Sequence, residues 1–489
     1  MIKDKPFIHL FKTPGSYYIY DVNTNAILSV DKDVFDFLEY KMDSNTSKEV
    51  DWPSEIVEFI DNGFLSSNKI KEIEHSDTDL LPDILSNNVP RITLQITQQC
   101  NLRCKYCIYS GSYSNRHHSK KNMSFETAKK GIDFLINHSN GVNEINIGFY
   151  GGEPLLEFKF IKKCVEYAEE QAEGKDISFN ITSNGTIINR EIIEYFDKHN
   201  IILMISLDGP KEIQDRNRQF AMDGKGTFEK VIKNVEFIKS EFPEYFKKVT
   251  FNAVMDSRNN FNCSSEFFTT YETFKDSLVN VSLVSDGYSE ETVDSEISDE
   301  FIFNQEYEIF KLFLSKFNRL DEENVSKLIR VYINQIKLDM YDKRTITHRL
   351  PDKVHHGGPC IPGVQRLFMN ADGNLFPCER VSELSSIMNI GNVNDGFYID
   401  NVSKLLNVGK ITEEKCKNCW CFRFCGLCAA SADHLDGFSE ELKTSHCSAT
   451  ANQVEEMMKD YCTLVEFGYK FSDNDKEIIP YTSKGDKIL

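Results

Sequence analysis

From Arg91 onward, short β-branched and apolar runs recur: RITLQIT (91–97), INIGFYG (145–151), SFNITSNG (178–185), ILMISLDG (202–209), VTFNAVMD (249–256) and NVSLVSDG (280–287). Stretches with helical spacing separate them, among them SFETAKKGIDFLINHS, FKFIKKCVEYAEEQA, NREIIEYFDKHN and TFEKVIKNVEFIKS. Strand–helix alternation with buried strands gives a parallel sheet joined by crossover helices. Six repeats fall short of the eight that close a barrel, so the expected core is an open, partial (β/α)6 barrel of the α/β class. Its chemistry should gather in the loops at the C-terminal ends of the strands.

The remaining chain divides around this core, as a length of 489 residues leads one to expect. Residues 1–75 read as a small α+β module. SYYIYDV (16–22) and AILSV (26–30) are its strands, joined by an Asn- and Asp-rich turn, and DVFDFLEYK and SEIVEFIDNG its helices. Residues 76–90 are polar and contain proline, the composition of a linker. The barrel then occupies 91–300, a helical bridge 301–354, a cysteine-rich and loop-rich region 355–465 with a helix near 449–465, and a polar tail 466–489. No internal repeat has a solenoid period.

Charge and hydropathy exclude some partners. Acidic residues outnumber basic ones 76 to 56, a net charge of -20 that opposes phosphate backbones, so no nucleic-acid partner is expected. No apolar run reaches the roughly 18 residues of a membrane span, and the opening MIKDKPFIHLFK lacks the pattern of a secretory signal. The expectation is a cytoplasmic protein with no membrane partner. In that reducing compartment the 14 cysteines are not expected to pair as disulfides. Three of them lie between Cys100 and Cys107 and seven between Cys360 and Cys428, a clustering that points to metal ligation.

The first barrel strand runs straight into QQCNLRCKYC, which places Cys100, Cys104 and Cys107 in one loop as C-x3-C-x2-C. Thiolates suit iron–sulfur clusters, and four of them normally hold a four-iron cluster. Three leave one iron open to a small molecule, as an open position does in a catalytic metal site. Zinc is the alternative, but it wants four ligands in paired C-x2-C spacing, and no partner pair lies nearby.

This loop, at the end of the first strand of a βα array and with Tyr106 before the third cysteine, resembles the signature of the radical S-adenosylmethionine (SAM) superfamily. The resemblance implies a four-iron cluster whose open iron chelates the amino and carboxylate groups of SAM. It also implies an electron transfer that releases a 5'-deoxyadenosyl radical, which takes a hydrogen atom from the substrate. FYGGEP (149–154) resembles the family's GGEP motif, so Gly151, Gly152 and Glu153 are expected at the SAM amino group. TSNGT (182–186) and ISLDGP (205–210) resemble further family loops, with Asn184 near the methionine moiety and Ser206 at the ribose. Arg218, in IQDRNR, resembles a family arginine that pairs with the SAM carboxylate.

A second constellation follows the barrel: Cys360, Gly373 and Cys378, then Cys416, Cys419, Cys425, Cys428 and Cys447. It resembles the SPASM extension of radical SAM peptide-modifying enzymes, which binds two auxiliary four-iron clusters. This chain has two residues between Cys425 and Cys428 where the family has three. By that pattern Cys416, Cys419, Cys425 and Cys447 hold one complete cluster, and Cys360, Cys378 and Cys428 hold the other. With the SAM-binding cluster this makes three [4Fe-4S] clusters. The nearer auxiliary cluster lacks a fourth thiolate from the pattern. A substrate thiol, Cys421, His355 or His356 would complete it, and the sequence leaves that open. The C-x2-C pairs also suit zinc, which keeps a zinc-stabilised binding protein as the non-enzymatic alternative. Cys164, Cys263 and Cys462 stand apart and read as structural residues.

Strands followed by helices ahead of such a core resemble the winged-helix-like leader-recognition module of these peptide maturases. In that family the precursor's leader adds a strand beside the module's third strand, here AILSV (26–30). The expected function is therefore maturation of a leader-bearing, cysteine-rich ribosomal precursor by thioether crosslinks from cysteine sulfur to carbon. A reductant such as flavodoxin or ferredoxin is the further partner. Carbon–carbon crosslinking and sulfatase-maturing formylglycine formation are the alternatives.

Overall fold

The computed structural model describes residues 5–43, 52–111, 113, 116–172, 174–257, 260–284, 288–289, 298–472 and 479–480. Six strands match the six apolar runs: β4 (Arg91–Thr97), β5 (Glu144–Gly151), β6 (Asp176–Ser183), β7 (Ile201–Ser206), β8 (Thr250–Met255) and β9 (Leu278–Leu283). They follow β1–β3 of the N-terminal module, described below. All six lie side by side in chain order and pair in parallel. The end of the last expected run, 285–287, falls outside the described residues.

Helices cross between the strands, and local chemistry starts several of them. Ser124 accepts a hydrogen bond from the Thr127 amide at the start of Phe125–Asn137, and Asn189 accepts one from Ile192 at the start of Arg190–Lys198. Side chains alternate between the two faces of the sheet: Ile92, Leu94, Ile147, Phe149, Ile181, Leu203 and Phe251 are all buried, whereas intervening positions such as Thr93, Asn146, Asn180 and Ile202 are half-buried or exposed.

The sheet does not stop at β4. Beyond it come β10 (Phe368–Met369), parallel to β4, then the antiparallel β11 (Asn374–Phe376), β12 (Gly391–Asn392) and β13 (Gly396–Phe397). The cysteine-rich region is thereby hydrogen-bonded onto the first barrel strand, beside the loop that carries Cys100. Strands of two or three residues are too short to show a period, so the sequence offers no sign of them.

In the N-terminal module β1 (Ile8–Lys12), β2 (Tyr17–Asp21) and β3 (Ala26–Val30) form an antiparallel meander. The buried Asp21 holds the turn into β3 by accepting from the amides of Asn23 and Thr24, and its other oxygen accepts from Leu65. Alternation along the strands divides their side chains between two cores. Ile8, Ile19 and Leu28 pack with Val34, Phe35, Leu38, Ile56 and Phe59 from the helices Lys32–Asp43 and Ser54–Asp61. Phe11, Tyr18, Tyr20 and Ile27 join the main core of the protein.

That second face seats the module on the cysteine-rich region. His9 stacks on Trp420 at 3.6 Å. Arg423 donates to the carbonyls of Val22 and Asn23, and the Thr13 and Tyr18 hydroxyls donate to Glu466 in the helix Cys447–Glu466. The outer edge of β3 carries one more short strand, β14 (Ile479–Pro480) from the tail, paired in parallel.

Residues 76–90 differ from a slack linker. They contain the helix Leu81–Asn87, and Leu81, Leu85 and Val89 are buried in the main core. Three spaced apolar residues in a polar segment were enough to fold it down. Within 301–354, helices run over Asp299–Lys316, Lys327–Arg330, Tyr332–Ile336 and Lys337–Asp342, and 343–354 carries none. Among the described residues no helix is long and apolar enough to cross a membrane.

Candidate active site

The loop after β4 is clamped by the end of β5. The Gly152 amide donates to the Thr97 carbonyl and the Glu153 amide to the Gln99 carbonyl, both at 2.8 Å. Gly151 has φ +147°, and a Cβ there would overlap the Thr97 carbonyl. A Cβ on Gly152 would overlap the Gln99 carbonyl and sit 3.1 Å from the Cys100 nitrogen. The close approach that these glycines permit is to the cysteine loop itself.

Cys100, Cys104 and Cys107 stand within electrostatic reach of one another. The Leu102 amide points at the Cys100 sulfur from 3.4 Å and the Tyr109 amide at the Cys107 sulfur from 3.5 Å. Burial pushes the Cys100 and Cys104 thiols up to about 12. Bound iron would supply the missing positive charge. Three sulfurs from one loop, Cys104 buried and Cys100 and Cys107 half-buried, two of them facing backbone N–H donors, fit an iron–sulfur cluster with one iron left for another ligand.

The strand ends beside this loop gather the other residues expected from the sequence. Glu153 is fully buried and accepts from the Ser183 hydroxyl, the Asn184 amide and the Leu155 amide at 2.7–3.0 Å. Burial raises its carboxyl to about 7 against the pull of those donors. Asn184 donates from Nδ2 to Asn101 and lies 3.9 Å from the Cys100 sulfur. Ser206 closes β7.

Arg218 meets a protein carboxylate. Its Nε and Nη2 donate to the two oxygens of Asp208 at 3.0 and 3.1 Å, and its guanidinium lies over the Tyr106 ring. Tyr106 donates to the same carboxylate, which also accepts from the Val254 amide. Asp208 is fully buried and organises this corner. The reading of ISLDGP passed over it for the neighbouring Ser206, although an acidic residue at a buried strand end was the available signal.

Beyond the barrel, Cys416, Cys419, Cys425 and Cys447 share one neighbourhood. Cys421 joins it, within reach of Cys419, Cys425 and Cys447. Cys378 and Cys428 are neighbours in a second place, and Cys360 is exposed. His355 is committed elsewhere: its Nδ1 donates to the His356 carbonyl, its Nε2 accepts from the Gly409 amide, and burial lowers it to about 4. His356 Nε2 is buried and has no hydrogen-bond partner among the described residues.

A buried polar chain connects the Cys107 loop to Cys378. The Gln95 side-chain amide donates to the Tyr109 hydroxyl at 2.7 Å and to Glu383 at 2.6 Å. Glu383 pairs with Arg116, whose other nitrogens donate to the carbonyls of Glu379 and Val381. Arg116 lies within electrostatic reach of Cys378, and Tyr150 within reach of both Arg116 and Cys107. Neither Arg116 nor Glu383 belongs to any motif, so no local pattern marks them.

Comparison with known proteins agrees with this geometry. Residues 94–261 match the sequence model of the Radical SAM superfamily. The chain is 26% identical over 287 residues to the radical SAM cyclopropyl synthase TigE of Paramaledivibacter caminithermalis, a match covering 52% of this chain and 59% of TigE, under two thirds of that relative. It is 24% identical over 359 residues to the cysteine-type anaerobic sulfatase-maturating enzyme of Clostridium perfringens, covering 70% of this chain and 89% of the enzyme. The fold is similar to native anSMEcpe with bound AdoMet and Cp18Cys peptide, with TM-score 0.57, 20% identity, and coverage of 77% of this chain and 98% of that one.

Proposed function

With residues 94–261 a Radical SAM superfamily domain, we propose that this chain is a peptide maturase that installs thioether crosslinks, cysteine sulfur to carbon, in a leader-bearing, cysteine-rich ribosomal precursor. The observation that carries the reading is the buried Tyr109–Gln95–Glu383–Arg116 chain, which links the Cys107 loop to the neighbourhood of Cys378. A peptide bound beside this chain would lie near both groups of cysteines. Relatives named for changes to peptides and proteins support the choice of substrate class.

Cys100, Cys104 and Cys107 would hold the cluster that reduces S-adenosylmethionine to its 5'-deoxyadenosyl radical. Cys416, Cys419, Cys425 and Cys447 would hold a second cluster, and Cys360, Cys378 and Cys428 a third. The chain's own part is to bind and orient. Glu153 would stand on the amino-group side of the cosubstrate, its carboxylate held by the Ser183 hydroxyl and the Asn184 and Leu155 amides. Asn184 and Ser206 present polar groups on the neighbouring strand ends. The Asp208–Arg218–Tyr106 corner keeps Cys104 and its loop in place.

Sulfatase-type oxidation is the second reading, favoured by the long alignment with the Clostridium perfringens enzyme. Mass spectrometry of a cysteine-containing precursor after anaerobic turnover separates the possibilities. A thioether removes two hydrogens and one alkylatable thiol. A carbon–carbon crosslink removes two hydrogens and keeps every thiol, and formylglycine formation from cysteine removes the sulfur. Product with all thiols retained, or with sulfur lost, would refute thioether formation.

The leader would extend the sheet at the β3 edge. Ile479 and Pro480 pair with Leu28 and Ser29 on that strand, so an incoming leader has to displace them. A chain ending at Ser472 should therefore bind a leader peptide several-fold more tightly by fluorescence anisotropy, with SAM cleavage unchanged. Unaltered affinity would count against strand addition at β3.

A further inference from the structure

Lys443 is 1% exposed, a rare state for a lysine without a paired carboxylate. Its Nζ lies 3.0 Å from the Thr412 hydroxyl and 3.8 Å from the Cys416 sulfur. Among the described residues no carboxylate lies at ion-pair distance from it. Carboxylates nearby in the chain pair with other lysines: Lys415 with Glu440 at 3.4 Å and Lys417 with Glu413 at 3.1 Å.

A hydroxyl and a neutral thiol do not repay the desolvation of an ammonium. The surroundings show what would. Thr412 is also 3.2 Å from the Cys416 sulfur. The Lys443 carbonyl faces the Cys447 thiol at 4.0 Å, and the lysine's charge reaches Cys419, Cys425 and Cys447. The short helix Glu440–Ser445 thus delivers one cation to a ring of four cysteines. Four thiolates around a four-iron cluster carry net negative charge, and every electron added increases it.

We infer that the Lys443 ammonium is the fixed counter-charge of an iron–sulfur cluster held by Cys416, Cys419, Cys425 and Cys447, and that it raises that cluster's reduction potential. Net charge and hydrogen bonds to the sulfurs set such potentials, and a buried cation favours the reduced, more negative state. The inference rests on the proposed assignment of these four cysteines. It makes Lys443 a positioning residue for electrons, distant from the Cys100 loop.

The test is an anaerobic redox titration followed by paramagnetic resonance, on full-length protein with matched iron and sulfide content. The signal of this cluster is the one that Cys416→Ala removes. In Lys443→Met its ratio of reduced to oxidised form at a fixed potential should fall at least tenfold, about 59 mV for one electron. Lys443→Arg should stay near wild type, and the Cys100-loop signal should not move in either variant. An unchanged midpoint in Lys443→Met overturns the inference. Should Lys443→Met fold but lose the cluster, retention in Lys443→Arg supports the charge requirement, and equal loss in both assigns Lys443 a packing role instead. If Cys416→Ala keeps all its iron, the cysteine assignment fails, a result distinct from failure of the lysine's role.

Discussion

Cys104→Ala is expected to reduce SAM cleavage to background, whereas Cys416→Ala keeps it within roughly tenfold of wild type, because sites without shared partners act independently. The two cysteines look alike in sequence and differ in their surroundings. Cys104 lies in the loop clamped by Gly152 and Glu153, beside Arg218 and in reach of Cys107. Cys416 belongs with Cys419, Cys425, Cys447 and Lys443. Removing Cys104 leaves two thiolates, too few to hold a four-iron cluster with only one iron open. Removing Cys416 should abolish precursor modification while the first half-reaction continues. Release of 5'-deoxyadenosine under dithionite, measured by liquid chromatography with iron and sulfide counts, decides it. Equal and complete loss in both variants would contradict separate roles. Colourless protein carrying only zinc would end the enzymatic reading altogether.

Gly152→Ala should cost the Cys100 loop its cluster and lower stability by about 1–3 kcal/mol, the range for overpacking. The added methyl meets backbone, which cannot swing aside as a side chain does. Relief requires the Gln99 carbonyl to move, and that carbonyl accepts the Glu153 amide at 2.8 Å and is bonded to the Cys100 nitrogen. The displacement passes directly to the first cysteine. Gly437→Ala is the control, since a Cβ there meets nothing within 4 Å and its φ is ordinary. Thermal unfolding and iron per chain check both variants. Wild-type iron content in Gly152→Ala would show that the clamp does not shape the site.

The barrel was legible because each strand carries a short apolar run, set between stretches of helical spacing. RITLQIT became β4, and the other five runs fall within two residues of the observed strand starts. The expected runs reached past the observed ends of β6 and β7, where Asn184–Gly185 and Leu207–Gly209 leave the sheet to form the site's loops. The helix Leu81–Asn87 was missed because its polar composition concealed two buried leucines. The first cysteine loop and the GGE clamp were also readable, since both are local in sequence.

Other features had no local signature. Asp208, ten residues from Arg218, is chosen because the helix Lys211–Asn217 between them returns one to the other. Arg116 and Glu383 meet only because β10 pairs with β4 and brings the cysteine-rich region against the barrel.

Periodicity and cysteine spacing by themselves determined a parallel α/β core, a three-thiol loop at the end of its first strand and a second cysteine group behind it. These are properties of neighbours along the chain, where short apolar runs and ligand spacing leave a visible pattern. Tertiary structure alone decided that the N-terminal sheet rests on the cysteine-rich region, that Arg218 is held by Asp208, and that one buried lysine faces four cysteines. Those pairings join residues that no periodicity links, and each is selected by the energy of placing a charge or an apolar face out of water.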